Sequence, residues 1–177
     1  MNKLIEEKIK FNGKRLKVIE KTYENSEGKL YKRECVEPGD SALVMPINEK
    51  NEAIFIKQLR EVIGKVELEF PAGIVDKDEK PEDAAKRELE EETGIVANSI
   101  EHLITVYPSC GYTNEKVHIF VAKDFSKGKV NLDEDEEILE IEKIPLDKCF
   151  ELAKENYFEQ ATLNLAILMY YFKYIKK

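Results

Sequence analysis

The chain has 177 residues, 42% of them apolar and 36% charged, with 28 basic side chains against 36 acidic ones for a net charge of −8. That length supports one main hydrophobic core or a domain with a small appendage, and the composition excludes fibrous and disordered classes, while the negative sign disfavours nucleic acid as a partner. The most apolar stretch, Leu165 to Phe172, is far shorter than the roughly 20 residues of a bilayer span, and MNKLIEEKIK has no signal-peptide core, so no membrane partner and a cytoplasmic location are expected.

Arg15 to about Glu37 alternates around the turn signal Asn25-Ser26-Glu27-Gly28, which predicts a β-hairpin. Ser41 to Ile47 and Glu52 to Leu59 read as strands, the first largely buried and the second alternating, and Val66 to Phe70 reads as a short strand. Pro71-Ala72-Gly73 then leads into a loop. A helix follows, with Pro81 at its first position, Glu82 and Asp83 in its first turn and Gly94 at its stop. Ile100 to Tyr107 and Val117 to Lys123 are strand-like, separated by a loop over Pro108 to Glu115. The acidic run LDEDEE from Leu132 to Glu137 precedes ILEIEKI, and helical spacing covers Leu146 to Lys154 and Glu159 to Ile175. The last helix is apolar nearly all round from Leu165 to Phe172, which implies burial on several sides against the core or a partner subunit.

Three widely spaced cysteines, Cys35, Cys110 and Cys149, give neither a disulfide framework nor a thiolate zinc pattern. With His102 and His118 the only histidines, a metal here would be held mainly by oxygen. The segment that offers such oxygens is GIVDKDEKPEDAAKRELEEETGI, Gly73 to Ile95. At about 100° per residue, Glu91 lies about 60° to one side of Glu88 and Glu92 about 40° to the other, while Glu90 points about 160° away toward solvent. Like charges four apart repel, more so once the face is partly buried, so something positive must offset them. A solvated acidic helix is the bland reading of such a cluster. A hard divalent cation such as Mg²⁺ is the other, because it accepts these oxygens and leaves positions for phosphate.

The full spacing decides between them. Gly73, five residues, Glu79, seven residues, Arg87-Glu88-Leu89, one residue, Glu91-Glu92, one residue, Gly94-Ile95 resembles the complete Nudix box at every defined position. The resemblance implies a Nudix-type α/β/α sandwich with a mixed sheet and a small N-terminal β-subdomain, divided as residues 1–40 and 41–177. It implies Glu88, Glu91 and Glu92 as metal ligands with the Ala72 carbonyl completing the shell, Mg²⁺ as the cofactor with Mn²⁺ able to substitute, and Glu79 and Arg87 as braces of loop and helix.

Around the box, Gln58-Leu59-Arg60, Glu69-Phe70-Pro71-Ala72-Gly73 and Tyr107 to Glu115 are similar to the ADP-ribose pyrophosphatase branch, although Cys110 stands where that branch usually has proline. That similarity implies hydrolysis of the diphosphate of ADP-ribose to AMP and ribose 5-phosphate, and a homodimer with residues 1–40 at the interface. The alternatives are the same chemistry on another nucleoside diphosphate sugar or a dinucleotide, and a nucleotide sensor without catalysis. For the general base it favours Glu134, with Glu136, Glu115 and the box carboxylate Glu92 as alternatives. Arg60 is a candidate phosphate or ribose contact, since a planar guanidinium pairs bidentately with such oxygens, and Glu37 and Glu115 are candidate substrate contacts. Phe11, Tyr23, Tyr31 and Tyr112 offer stacking faces, with base recognition unassigned, and His118 reads as a packed strand residue.

Overall fold

Residues 2–132 and 137–176 are described by a computed structural model, and among them the chain forms ten strands and three α-helices. They divide into two compact units, Met1–Asp40 with Tyr107–Lys116, and Ser41–Val106 with Val117–Lys177.

The first unit is an antiparallel sheet in the order β1 (Lys3–Asn12), β2 (Lys17–Glu24), β3 (Leu30–Glu37). The β2–β3 hairpin is the one its turn residues predict. Asn25 Oδ1 accepts the N–H groups of Glu27 and Lys29 at 3.0 and 2.9 Å, and Gly28 supplies φ = 77°. Tyr23 and Tyr31, directly opposite in register, stack with centroids 5.7 Å apart. Strand β1 carries no such signal, because all ten of its residues are exposed and no buried face imposes an alternation. The 107–116 segment joins this unit where the Val36 N–H donates to Tyr112 O at 2.8 Å.

In the second unit one sheet has the order β7-β4-β9-β8, built from β4 (Ser41–Pro46), β7 (Ala72–Ile74), β8 (Ile95–Val106) and β9 (Val117–Lys127). Its β4–β9 pairing is parallel and its other pairings are antiparallel, so the sheet is mixed. A second, antiparallel sheet has the order β10-β5-β6, from β5 (Glu52–Arg60), β6 (Lys65–Glu69) and β10 (Ile138–Pro145). The helices are α1 (Pro81–Thr93), α2 (Leu146–Lys154) and α3 (Ala161–Tyr170).

Alternation along β4 and β9 explains the layers. Leu43, Met45, Ile119 and Val121 belong to a core that includes Cys149 and Phe150 of α2 and Leu163, Ala166 and Ile167 of α3. Ala42, Val44, Phe120 and Ala122 belong to a second core with Ala84, Ala85 and Leu89 of α1. Both faces of the mixed sheet are therefore covered, and its central strands are mainly apolar where they cross the two cores. Phe55 of β5 is fully buried, stacked on Phe70 at 4.5 Å and Phe158 at 5.7 Å.

Four expectations change. Strand β5 is mostly buried rather than alternating, because side chains on both its faces pack into the interior. Ala72–Ile74 form the short strand β7, paired with β4 through Leu43↔Ala72, and its last residue falls where a loop was expected. Strand β8 begins at Ile95, directly after the helix stop. The last helix buries Leu163, Ala166, Ile167 and Tyr170 only. After Tyr170 it widens into a π-helical turn, Tyr171–Ile175, which leaves Phe172 57% exposed. The three cysteines are free thiols, and burial pushes that of Cys149 up to about 12. Truncation at the centre of the larger core, Phe55→Ala, is expected to cost about 3–5 kcal/mol of unfolding free energy, read from urea denaturation.

Candidate active site

Helix α1 starts and stops as its sequence dictates. Pro81 lies in the first turn, Glu82 and Asp83 sit at the positive end of the dipole, and Gly94 closes the helix at φ = 68° with its N–H donating to Glu90 O at 2.7 Å. Ala84, Ala85 and Leu89 face the mixed sheet, and the small size of the two alanines brings the neighbouring carboxylate face close to β7. On that face Glu88 and Glu92 are buried, at 6% and 2% exposure, and Glu91 is half-buried.

The positive charge that Glu88 and Glu91 require is Arg87. Its Nη1 donates to Glu88 Oε1 at 2.6 Å and Glu91 Oε2 at 2.9 Å, and its Nε and Nη2 donate to the two oxygens of Glu79, each at 3.1 Å. Nη2 also donates to Ile74 O at 3.0 Å. Glu79 in turn accepts the Asp76 N–H at 3.0 Å, which closes the loop between β7 and α1. The Arg87 fork holds the Glu79 carboxyl below its ordinary range, and the same bond holds the guanidinium above its own.

Gly73 has a steric reason. A Cβ built there would lie 2.0 Å from Glu88 Oε1 and 2.2 Å from Glu88 Cδ, so the Glu88 carboxylate occupies the space a side chain would take. One residue earlier, the Ala72 N–H donates to Glu92 Oε2 at 3.2 Å, which sets the Ala72 backbone beside that carboxylate. Ala72, Glu88, Glu91 and Glu92 are thus brought to one place. Among the described residues no three carboxylates stand ready in ligand geometry around a point, and Arg87 Nη1 lies between Glu88 and Glu91. Three carboxylates beside the Ala72 backbone offer oxygen donors, a chemistry that suits a hard divalent cation such as Mg²⁺ or Mn²⁺.

The other candidates are placed as follows. Arg60 grips Glu69 bidentately, Nε to Oε1 at 2.7 Å and Nη2 to Oε2 at 2.5 Å, and Glu69 is 4% exposed. Glu37, in the first unit, accepts from Lys21 Nζ at 3.1 Å. Glu115, also in that unit, is half-buried, and its N–H donates to Thr113 Oγ1 at 3.1 Å. Glu134 and Glu136 lie outside the described residues. His118 lies on β9, with Nδ1 3.0 Å from Thr105 Oγ1. Glu90 departs from expectation. It does not point to open solvent, since its Oε1 accepts the Lys129 N–H at 3.3 Å and it is half-buried beside the segment that follows β9. The fork partner Glu69 and the Gly73–Glu88 fit were not anticipated, because each depends on a contact between separate elements.

The NUDIX domain model matches residues 37–164. The chain is 34% identical over 159 residues to an ADP-ribose pyrophosphatase of Bacillus subtilis (strain 168), covering 89% of this chain and 85% of that protein. It is 35% identical over 174 residues to a methanol dehydrogenase activator of Bacillus methanolicus, covering 94% of each. A crystal structure described as an ADP compounds hydrolase matches with a TM-score of 0.82 at 25% identity, over 95% of this chain and 91% of the other.

The Glu79–Arg87 fork has a pH signature. A carboxyl whose folded pKa lies below its ordinary value of 4.5 contributes stability that is complete above that value and is lost as pH falls through the lower folded one. Urea denaturation is therefore expected to show Glu79→Gln less stable than wild type at pH 7, with the gap closing as the pH drops below the ordinary carboxylate range.

Proposed function

The chain belongs to the Nudix family, and from that premise we propose that it catalyses divalent-metal-dependent hydrolysis of the diphosphate of ADP-ribose, with water added across one P–O bond to give AMP and ribose 5-phosphate. The observation that carries the reading is the gathering of Glu88, Glu91 and Glu92 on one partly buried helix face next to the Ala72 backbone. Maintaining three like charges there opposes stability, and a cation-dependent reaction gives them a use.

A diphosphate ester resists hydrolysis because its oxygens repel an attacking hydroxide. Mg²⁺, or Mn²⁺ in its place, held by Glu88, Glu91, Glu92 and the Ala72 carbonyl, would neutralise phosphate oxygens and lower the pKa of bound water. Arg87 and Glu79 keep the ligand helix and its preceding loop in register, and Gly73 leaves room for Glu88. The proton of the attacking water is assigned to Glu134, with Glu136, Glu115 and Glu92 as alternatives. Arg60 is assigned to a phosphate of the substrate, and Glu37 and Glu115 to its remaining polar groups. The reading includes a cytoplasmic homodimer with residues 1–40 at its interface.

A panel of ADP-ribose, GDP-mannose and a dinucleotide at equal concentration, compared by kcat/KM, tests the substrate assignment, and ADP-ribose is expected to rank first. A higher kcat/KM on another member would reassign the substrate within the same chemistry. Glu91→Gln and Glu92→Gln are expected to lose at least a hundredfold in kcat with the far-ultraviolet circular dichroism unchanged, on the order of one lost electrostatic contact in a water-poor site. Full activity in either refutes the metal role. Gly73→Ala is expected to keep the fold and lose activity, because the flexible Glu88 side chain yields to the added methyl group and leaves its position.

A further inference from the structure

The face of the β5–β6 hairpin that carries Arg60 is unusually polar for a buried surface. Its register places Ile56 opposite Glu69, Gln58 opposite Glu67 and Arg60 opposite Lys65, all on one face of the two strands. Glu69, Gln58 and Glu67 are 4%, 6% and 8% exposed. Burial of polar groups in a strand is unfavourable unless they find partners. The two cations on this face are engaged with other carboxylates. Arg60 grips Glu69, and Lys65 Nζ donates to both oxygens of Glu159 at 2.9 and 2.6 Å. Between them, Gln58 Oε1 is buried and has no hydrogen-bond partner among the described residues.

Residues directly opposite in an antiparallel pair have Cβ atoms about 4.5–5.5 Å apart, so the Gln58 and Glu67 side chains leave the hairpin side by side and offer an amide carbonyl and a carboxylate on one face. A phosphate would be repelled there. Neutral O–H donors complement both acceptors at once, and two hydroxyls on neighbouring carbons of a sugar supply them in matching spacing. Arg60, in bonding to Glu69, spans from its own rung past the Gln58–Glu67 rung, so the guanidinium assigned to phosphate and the two acceptors share one face.

We propose that Gln58 and Glu67 form a subsite for the hydroxyl groups of the sugar attached to the substrate's diphosphate, an inference that rests on the proposed hydrolysis of a nucleoside diphosphate sugar. Arg60 holds the phosphate side, and the rung reads the sugar beside it. Such a subsite selects by omission. A substrate without those hydroxyls leaves buried acceptors unpaired, and polar sites reject such analogues far more strongly than apolar pockets reject a missing methylene.

The test compares ADP-ribose with ADP esterified at its β-phosphate to tetrahydrofurfuryl alcohol, which keeps the diphosphate and the ring and lacks the sugar hydroxyls. Wild type is expected to favour ADP-ribose by about a hundredfold or more in kcat/KM. Gln58→Met, similar in shape, is expected to cut that preference at least tenfold without lowering Tm, since it removes an acceptor that has no partner in the free protein. Glu67→Gln, which keeps size and burial, is expected to cut it by a smaller factor. Comparable kcat/KM on both esters in wild type, an equal loss on both in Gln58→Met, or a fall in Tm in Gln58→Met with the preference unchanged overturns the subsite and leaves the proposed function standing. A wild-type protein that hydrolyses neither ester nor any other nucleoside diphosphate sugar overturns the function and the subsite together.

Discussion

One guanidinium holds together three carboxylates, a loop and a strand. Arg87 joins Glu79, Glu88 and Glu91 and reaches the Ile74 carbonyl, so the helix face, the segment before it and strand β7 share a single electrostatic knot. Glu88 and Glu92, one turn apart and both buried, oppose one another at low dielectric, and Arg87 offsets the charge of the first while the Ala72 N–H donates to the second. A lysine in place of Arg87 would carry the same charge but lacks the planar fork, which is what allows Glu79 to be gripped by one edge while Nη1 serves two further carboxylates.

Charge explains the contacts, and packing explains why they can exist. Ala84 and Ala85 let α1 lie close on the mixed sheet, and the absent side chain at Gly73 admits the Glu88 carboxylate next to β7. The same sheet is covered on its other face by α2 and α3, so β4 and β9 are fixed from both sides. The carboxylates project from an element with little freedom to move, which is the condition for a site that holds a cation and a charged substrate in fixed relation.

Much of this was legible in the sequence because it is written in local spacing. The start and stop of α1, the shared face of Glu88, Glu91 and Glu92 and the β2–β3 turn depend on residues within a few positions of each other. What escaped depends on contacts between distant segments. Strand β1 has no buried side, so no pattern marks it. Strand β7 exists because β4 offers it an edge, and nothing in Pro71-Ala72-Gly73 announces that. Glu90 was assigned to solvent by helical geometry, which is correct for an isolated helix and fails where residues 128–131 fold over it. The partnership of Arg60 with Glu69 spans a hairpin whose register only the fold supplies.

The central claim is that the carboxylate face of α1 serves metal-dependent attack of water on a diphosphate. Its most direct test is incubation of the protein with ADP-ribose in water enriched in ¹⁸O, with and without Mg²⁺, followed by chromatography and mass analysis of the products. AMP and ribose 5-phosphate are expected only when metal is present, with one ¹⁸O incorporated into one of the two phosphates. Metal-independent cleavage, or products without the label, would contradict it.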